Sequence, residues 1–333
     1  LKILVIQTAF TGDVILATPV VETLIKAYPE AAVDVLVRKG NESLLRNFPG
    51  LRGILIWDKS KRKLNNLLAL LPIIRREKYD QVINLQRFAS SGLLTVMSNA
   101  GETTGFDKNP LSRFFSRKIP HVILHGNTLH EVDRNLQLIS HLAQPESNRP
   151  VLYPDAADFN LAASYGKHHP YATFAPASVW FTKQFPKDQW IKLGKSILEK
   201  SSKDARIFLV GGPSDFNLCE YIRREISDSR IITLAGSLSL LQTAALMKNA
   251  AMNYVNDSAP LHLASAMNAP VTAFYCSTVP WFGFGPLSEK SIIAETSEKL
   301  ECRPCGLHGY RQCPKGHFKC ATTIQEDQYA QPL

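Results

Sequence analysis

Short apolar runs that do not alternate with polar residues constrain this chain more than any other feature. "KILVIQ" at 2–7, "AVDVLVRK" at 32–39, "GILIWD" at 53–58 and "YDQVINLQ" at 79–86 read as strands. "ILATPVVETLIKAYP" at 15–29 and "KLNNLLALLPIIRREK" at 63–78 carry helical spacing, with Pro72 as a candidate kink. A strand with one wet face alternates; these do not, so both faces are covered. That is the pattern of a parallel sheet wrapped by helices. The pattern stops at the polar stretch "QPESNRPVLYPD", 144–155, and then restarts. "YATFAP", "ARIFLVGGPSD", "RIITLAG", "MNYVND" and "PVTAFYC" are strands between further helices. At 333 residues the chain is long for one core. We expect an α/β protein of two Rossmann-like, doubly wound domains, 1–150 and 151–333, facing a central cleft.

Charge is uneven. The net +9 lies mostly in residues 1–150, which hold 20 Lys and Arg against 13 Asp and Glu. The excess sits in "KSKRK" (59–63), "RREK" (75–78) and "RFFSRK" (113–118), which are solvated faces or contacts to an anionic partner. No apolar run of 18 residues is present, and "LKILVIQTAF" is too strand-like for a secretory signal, so a cytoplasmic location is expected. Nucleic acid is disfavoured: aromatics are scarce in the basic clusters and no recognition motif occurs. Four of six cysteines, Cys302, Cys305, Cys313 and Cys320, crowd the tail at 302–320. This spacing suits a structural Zn or Fe, or else buried thiols or a disulfide pair.

Ligands of open α/β sheets bind beyond the carboxyl ends of strands. Four loops at such ends carry polar chemistry. In "TAFTGDVILATPV", Gly12 and Asp13 precede an apolar run, and Asp13 reads either as a helix cap or as a catalytic carboxylate. "APASVWFTKQFP" offers the Ser178 and Thr182 hydroxyls and Lys183, a set suited to phosphate oxygens. "VGGPSD" lets Gly211 and Gly212 approach a nucleotide, with Asp215 on a ribose or capping the next helix. In "NDSAPLHLASA", Asp257 and Ser258 stand before a helix whose N-terminus favours a diphosphate, and His262 faces ligand or core.

Taken in order, "TAFTGDVILATP", "PASVWFTKQFPKDQW", "NDSAPLHLASA" and the ending "CRPCGLHGYRQCPKGHFKC" resemble the ADP-heptose:lipopolysaccharide heptosyltransferases, glycosyltransferase family 9. The resemblance implies a GT-B fold, with the acceptor on the N-terminal domain and the nucleotide sugar on the C-terminal one. It implies Asp13 as catalytic base and Lys183 on the donor diphosphate. Val179 stands where the family often has a hydroxyl. Ala259 replaces a usual Gly, a strain if that backbone needs positive φ. Gly12, Ser178, Val179, Gly212, Asp215, Asp257, Ser258, Ala259 and His262 are the donor-side candidates.

An inverting, metal-independent transfer of heptose from an ADP-sugar to a phosphorylated lipopolysaccharide core hydroxyl follows, since no DxD-like pair stands near the diphosphate loops. Arg113, Arg117, Lys118, His130 and Arg134 are candidate acceptor contacts, the last two equally able to pair within a helix. Peripheral contact with the anionic inner-membrane face is expected. The alternatives are a glycosyltransferase using another nucleotide sugar and a non-catalytic nucleotide- or polyanion-binding protein.

Overall fold

The computed structural model describes residues 1–123, 129–166 and 169–330. The chain divides into two compact units, Leu1–Tyr153 and Pro154–Leu333. In unit 1 the strands are β1 (Lys2–Gln7), β2 (Ala32–Arg38), β3 (Leu51–Trp57), β4 (Gln81–Asn84), β5 (Glu102–Phe106) and β6 (Arg117–Ile119). Its helices are α1 (Thr11–Ala27), α2 (Lys63–Glu77), α3 (Ala89–Val96) and α4 (Glu131–Gln137). The strand order is β3-β2-β1-β4-β5-β6, every pairing parallel. β1 is buried from Ile3 to Gln7, as its unalternating sequence requires.

Unit 2 contains α5 (Ala156–Gly166), β7 (Tyr171–Ala175), α6 (Lys187–Lys200), β8 (Arg206–Leu209), α7 (Phe216–Ile226), β9 (Ile231–Thr233) and α8 (Leu240–Lys248). It continues through β10 (Met252–Asn256), α9 (Ala259–Ala266), β11 (Val271–Tyr275), β12 (Ser291–Glu295) and α10 (Lys319–Thr322). Its order is β12-β11-β10-β7-β8-β9, again all parallel. Renumbered from its own first strand, that is the 3-2-1-4-5-6 order of unit 1. Each sheet therefore reverses its winding once, between β1 and β4 and between β7 and β10. Crevices at the carboxyl side of these reversals are where such sheets take ligands.

Local chemistry explains one departure from the sequence reading. α1 starts at Thr11 rather than Ile15 and carries Pro19 inside it. Proline removes the N–H that would reach the carbonyl four residues back. Thr18 Oγ1 donates to that same Ile15 carbonyl at 2.7 Å, so no buried acceptor is stranded. α2 likewise runs through Pro72.

Candidate functional site

In unit 1, Thr8–Phe10 carry the chain from β1 into α1. Phe10 is the N-cap, and a phenyl ring cannot accept a hydrogen bond from the amides. Asp13, third in the helix, reaches back instead: its Oδ2 accepts from the Phe10 N–H at 3.2 Å. Asp13 thus sits in the first turn of α1, beside Gly12, and not on the loop. Burial, then the negative charge of Glu131, push its carboxyl up to about 6, against the pull of the backbone bonds and Arg87. Capping group and raised acid are one residue.

Cations gather here from the carboxyl ends of neighbouring strands. Lys59 Nζ donates to the Thr8 carbonyl at 2.5 Å and lies 4.2 Å from the centre of the Trp57 ring. Burial, then Arg38 and Lys63, lower its pKa to about 8. The Arg38 guanidinium stands 5.3 Å from the Phe10 ring. Beneath them Gln86 donates to Gln7, and Asn109 Nδ2 donates to the Gln86 carbonyl at 3.0 Å.

The expected acceptor residues fare differently. His130 caps α4, its Nδ1 accepting from the Val132 N–H at 3.2 Å. Arg134 is buried, its Nε 2.7 Å from Glu131, which also meets His121 at 3.3 Å. Both serve the packing of α4 rather than a surface. Arg117 pairs with Glu102 at 3.2 Å, Arg113 lies over Phe114 at 4.6 Å, and Lys118 is exposed.

In unit 2, Asn256 closes β10 fully buried. Its Oδ1 accepts from the Phe185 N–H and its Nδ2 donates to the Pro176 carbonyl, both at 2.8 Å. One side chain thereby ties both ends of the 176–185 loop to the sheet at its reversal. Next to it, Asp257 Oδ2 receives Lys183 Nζ at 2.7 Å and Thr278 Oγ1 at 2.6 Å. The Lys183 side chain is 16% exposed and that of Asp257 6%. The result is a shielded but reachable ammonium at the carboxyl end of β7 and β10.

Thr182 is not a phosphate ligand. It is buried, with Oγ1 accepting from the Tyr310 N–H at 2.7 Å and from Ser277 Oγ at 3.0 Å. The cysteine-rich segment thereby buttresses the lysine loop. Gly309, at φ +76°, fits there because a Cβ would stand 3.0 Å from Thr182 Oγ1 and 3.1 Å from Lys183 Cγ. Arg303 grips the loop after β11, donating to the carbonyls of Cys276 (2.8 Å), Thr278 (2.9 Å) and Tyr275 (3.1 Å), and to Glu295 (2.6 Å).

Ser258 is the N-cap of α9 in extended backbone, and Ala259 opens the helix outside the left-handed region, so Ala for Gly carries no strain. Pro260 has no N–H and that of Leu261 goes to Ser258, while the Ser258 and Ala259 amides have no backbone partner among the described residues. His262 is buried, its ring 6.4 Å from Phe284, on the core side of the expectation. Asp215 accepts from the Gly212 N–H at 2.8 Å, closing the short 3-10 turn Pro213–Asp215; it precedes α7, but its side chain makes no capping bond to that helix, against the expectation that it caps it. Ser178 is half-buried, its carbonyl taking Gln184 Nε2 at 2.7 Å, and Val179 is exposed.

The four tail cysteines form no disulfide among the described residues. Burial, then Cys305 and Cys313, push Cys320 up to about 12. Among the described residues no three His, Cys, Asp or Glu side chains converge as ligands of an ion.

Sequence reasoning missed Thr278, Arg303, Asn256 and Tyr310, which hold the unit 2 site, and Lys59, Arg87 and Glu131 around Asp13. Three had a visible signal: Arg303 between two clustered cysteines, Lys59 in the basic run at 59–63, and Asn256 at the head of "NDSAPLHLASA".

The chain is similar to known proteins over most of its length. The model of glycosyltransferase family 9 (heptosyltransferase) matches residues 67–311. A lipopolysaccharide heptosyltransferase 3 of Escherichia coli is 25% identical over 282 residues, 81% of this chain and 82% of that one. A lipopolysaccharide heptosyltransferase 1 of Pseudomonas aeruginosa is 24% identical over 326 residues, 92% and 86% of the two chains. The solved ADP-heptose lipopolysaccharide heptosyltransferase II of E. coli superposes with a TM-score of 0.75 at 20% identity, covering 92% of this chain and 96% of that one. With two parallel six-stranded sheets in the GT-B manner, this chain belongs to glycosyltransferase family 9, the heptosyltransferases.

Proposed function

We propose that this protein transfers a heptose from ADP-heptose to a hydroxyl of a phosphorylated lipopolysaccharide core, with inversion and without a catalytic metal. The observation that carries the reading is the shielded ammonium of Lys183 at the β7/β10 reversal, paired to Asp257 and set beside the opening of α9. A cation held there meets the charge that grows on a departing diphosphate, the largest expected contribution to rate. Asp13 takes the proton of the acceptor hydroxyl as the new C–O bond forms. The bond from the anomeric carbon to the phosphate oxygen breaks, and ADP leaves with the electron pair. A carboxyl near 6 is ionised at neutral pH yet more basic than an ordinary aspartate, which suits a general base. Arg87, whose charge acts on Asp13, and Arg38 and Lys59, held against Phe10 and Thr8 just before α1, are proposed as further acceptor contacts.

The test is a panel of ADP-, UDP- and GDP-sugars with a core acceptor, products read by mass and anomeric configuration by NMR, before and after chelation. Heptose addition from ADP-heptose alone, inverted and insensitive to chelator, is expected. Transfer from another sugar nucleotide would replace the donor assignment. Nucleotide binding without transfer from any donor would replace the enzyme reading. The tail cysteines are proposed as a structural Zn or Fe site, supported by the Cys302-x2-Cys305 spacing and by Cys302 Sγ standing 3.8 Å from His317 Nε2. Elemental analysis finding no stoichiometric metal, with four reactive thiols on unfolding, refutes it.

A further inference from the structure

We propose that the outward face of α2 docks on the surface of an anionic phospholipid bilayer. The argument stands apart from the reaction proposed above. α2 buries Leu67, Leu70, Leu71 and Ile74 in a core with Trp57, Tyr79, Val82 and Leu94. A helix so seated normally shows charge on its other side. Here the other side is apolar: Leu64 is 62% exposed, Leu68 46% and Ile73 39%, with Ala69 and Pro72 also exposed. Of the six outward positions from 64 to 73, which are 64, 65, 68, 69, 72 and 73, only Asn65 is polar.

Cations stand at both ends of this stripe. Lys61, Arg62 and Lys63 are exposed before it, and Arg75 and Arg76 after it. The helix holds one carboxylate, Glu77, already paired with Arg52 at 2.9 Å and Lys2 at 3.6 Å. Asp58, just upstream, is paired with Lys39 at 2.8 Å. The face is thus apolar along its length and positive at its ends, without competing negative charge. A protein partner of opposite charge would meet only the ends. A bilayer meets both: lipid phosphates take the cations, and the acyl boundary takes the leucines. At 15 residues the helix is about 22 Å long, too short to span, so it lies in the plane of the interface.

The test is cosedimentation of the full chain with vesicles of phosphatidylcholine, with and without about one third phosphatidylglycerol. Binding is expected to the anionic vesicles and to fall as salt rises. Replacing both leucines, Leu64→Ser with Leu68→Ser, is expected to weaken it about tenfold or more. Replacing Lys61, Arg62 and Lys63 with Gln is expected to weaken it about fivefold per cation at low salt. Because these side chains are exposed, thermal unfolding of the variants stays that of the parent, separating lost docking from lost fold. Anionic binding that ignores the leucine pair overturns the docking face. So does a concentration-dependent dimer abolished by the leucine pair, without vesicle binding, for then a second copy covers the stripe.

Discussion

Asp13→Asn should make the protein more stable and less active at once, and the pH dependence of the gain is fixed by the structure. Asn keeps an oxygen to accept the Phe10 N–H, so the start of α1 is preserved. It is also a neutral isostere of protonated Asp13. The native carboxyl is raised from 3.8 to about 6 by burial first and by Glu131 second. Between these two values the folded chain holds a proton that the unfolded chain has released. Wild-type stability therefore falls as pH rises through this window and levels off above it. The variant has no such loss, so the difference should be near zero below about pH 4 and complete by about pH 7. At 1.36 kcal/mol per unit the ceiling is about 3 kcal/mol. The carboxylate is only half-buried, and solvent screening reduces this to about 1–2 kcal/mol. For a unit of this size that is a rise in Tm of about 2–8 °C. Thermal unfolding of both proteins from about pH 4 to 8 reads it directly. Turnover should fall by two to four powers of ten in the variant, and wild-type kcat/KM should climb through about pH 6. Equal Tm at neutral pH, or a difference that does not change with pH, would refute the burial argument for Asp13.

Further outcomes follow from unit 2. Lys183→Met leaves the buried Asp257 carboxylate with Thr278 but without its cation, and should cost about 3–5 kcal/mol by denaturant titration. ADP affinity by calorimetry should drop at least tenfold; unchanged affinity would remove Lys183 from the anion site. Arg303→Lys keeps the charge but loses the planar fork that reaches three carbonyls and Glu295. Donor KM should then rise several-fold with acceptor KM unmoved, and a change in acceptor KM alone would contradict the positioning role.

How much of this could be read from sequence depended on range. The strands of both sheets that follow an unbroken apolar run, such as β1, β7 and β11, announce themselves because nothing but burial on both faces explains them. β6 and β12 do not, since edge strands are half-exposed and their residues "RKI" and "SIIAE" resemble any surface loop. Asp13 was ambiguous for a physical reason: cap and acid make the same local demand, a carboxylate in the first turn. Its raised carboxyl comes from burial first and from Glu131, the first residue of α4, second, and no local pattern reveals either. The same applies to Thr182. A hydroxyl next to a lysine suits phosphate, but Tyr310, 128 residues later, claims it.

The pairing of Lys183 with Asp257 bears directly on the diphosphate site proposed for unit 2. A shielded ammonium without a partner bears the full cost of leaving water. Asp257 offsets that cost with a compensating charge at 2.7 Å, and Thr278 Oγ1 donates to the same carboxylate oxygen at 2.6 Å. Lysine has three donors, and the bond to Asp257 occupies one of them. In the proposed reaction a diphosphate could then be accepted without evicting Asp257, its extra negative charge facing the Ser258 and Ala259 amides at the head of α9. An arginine in the same place would spread its charge over a rigid plane already committed to the carboxylate. The site therefore needs the compact cation, and the loop that carries it needs the distant buttress of Arg303 and Tyr310 to hold that cation still.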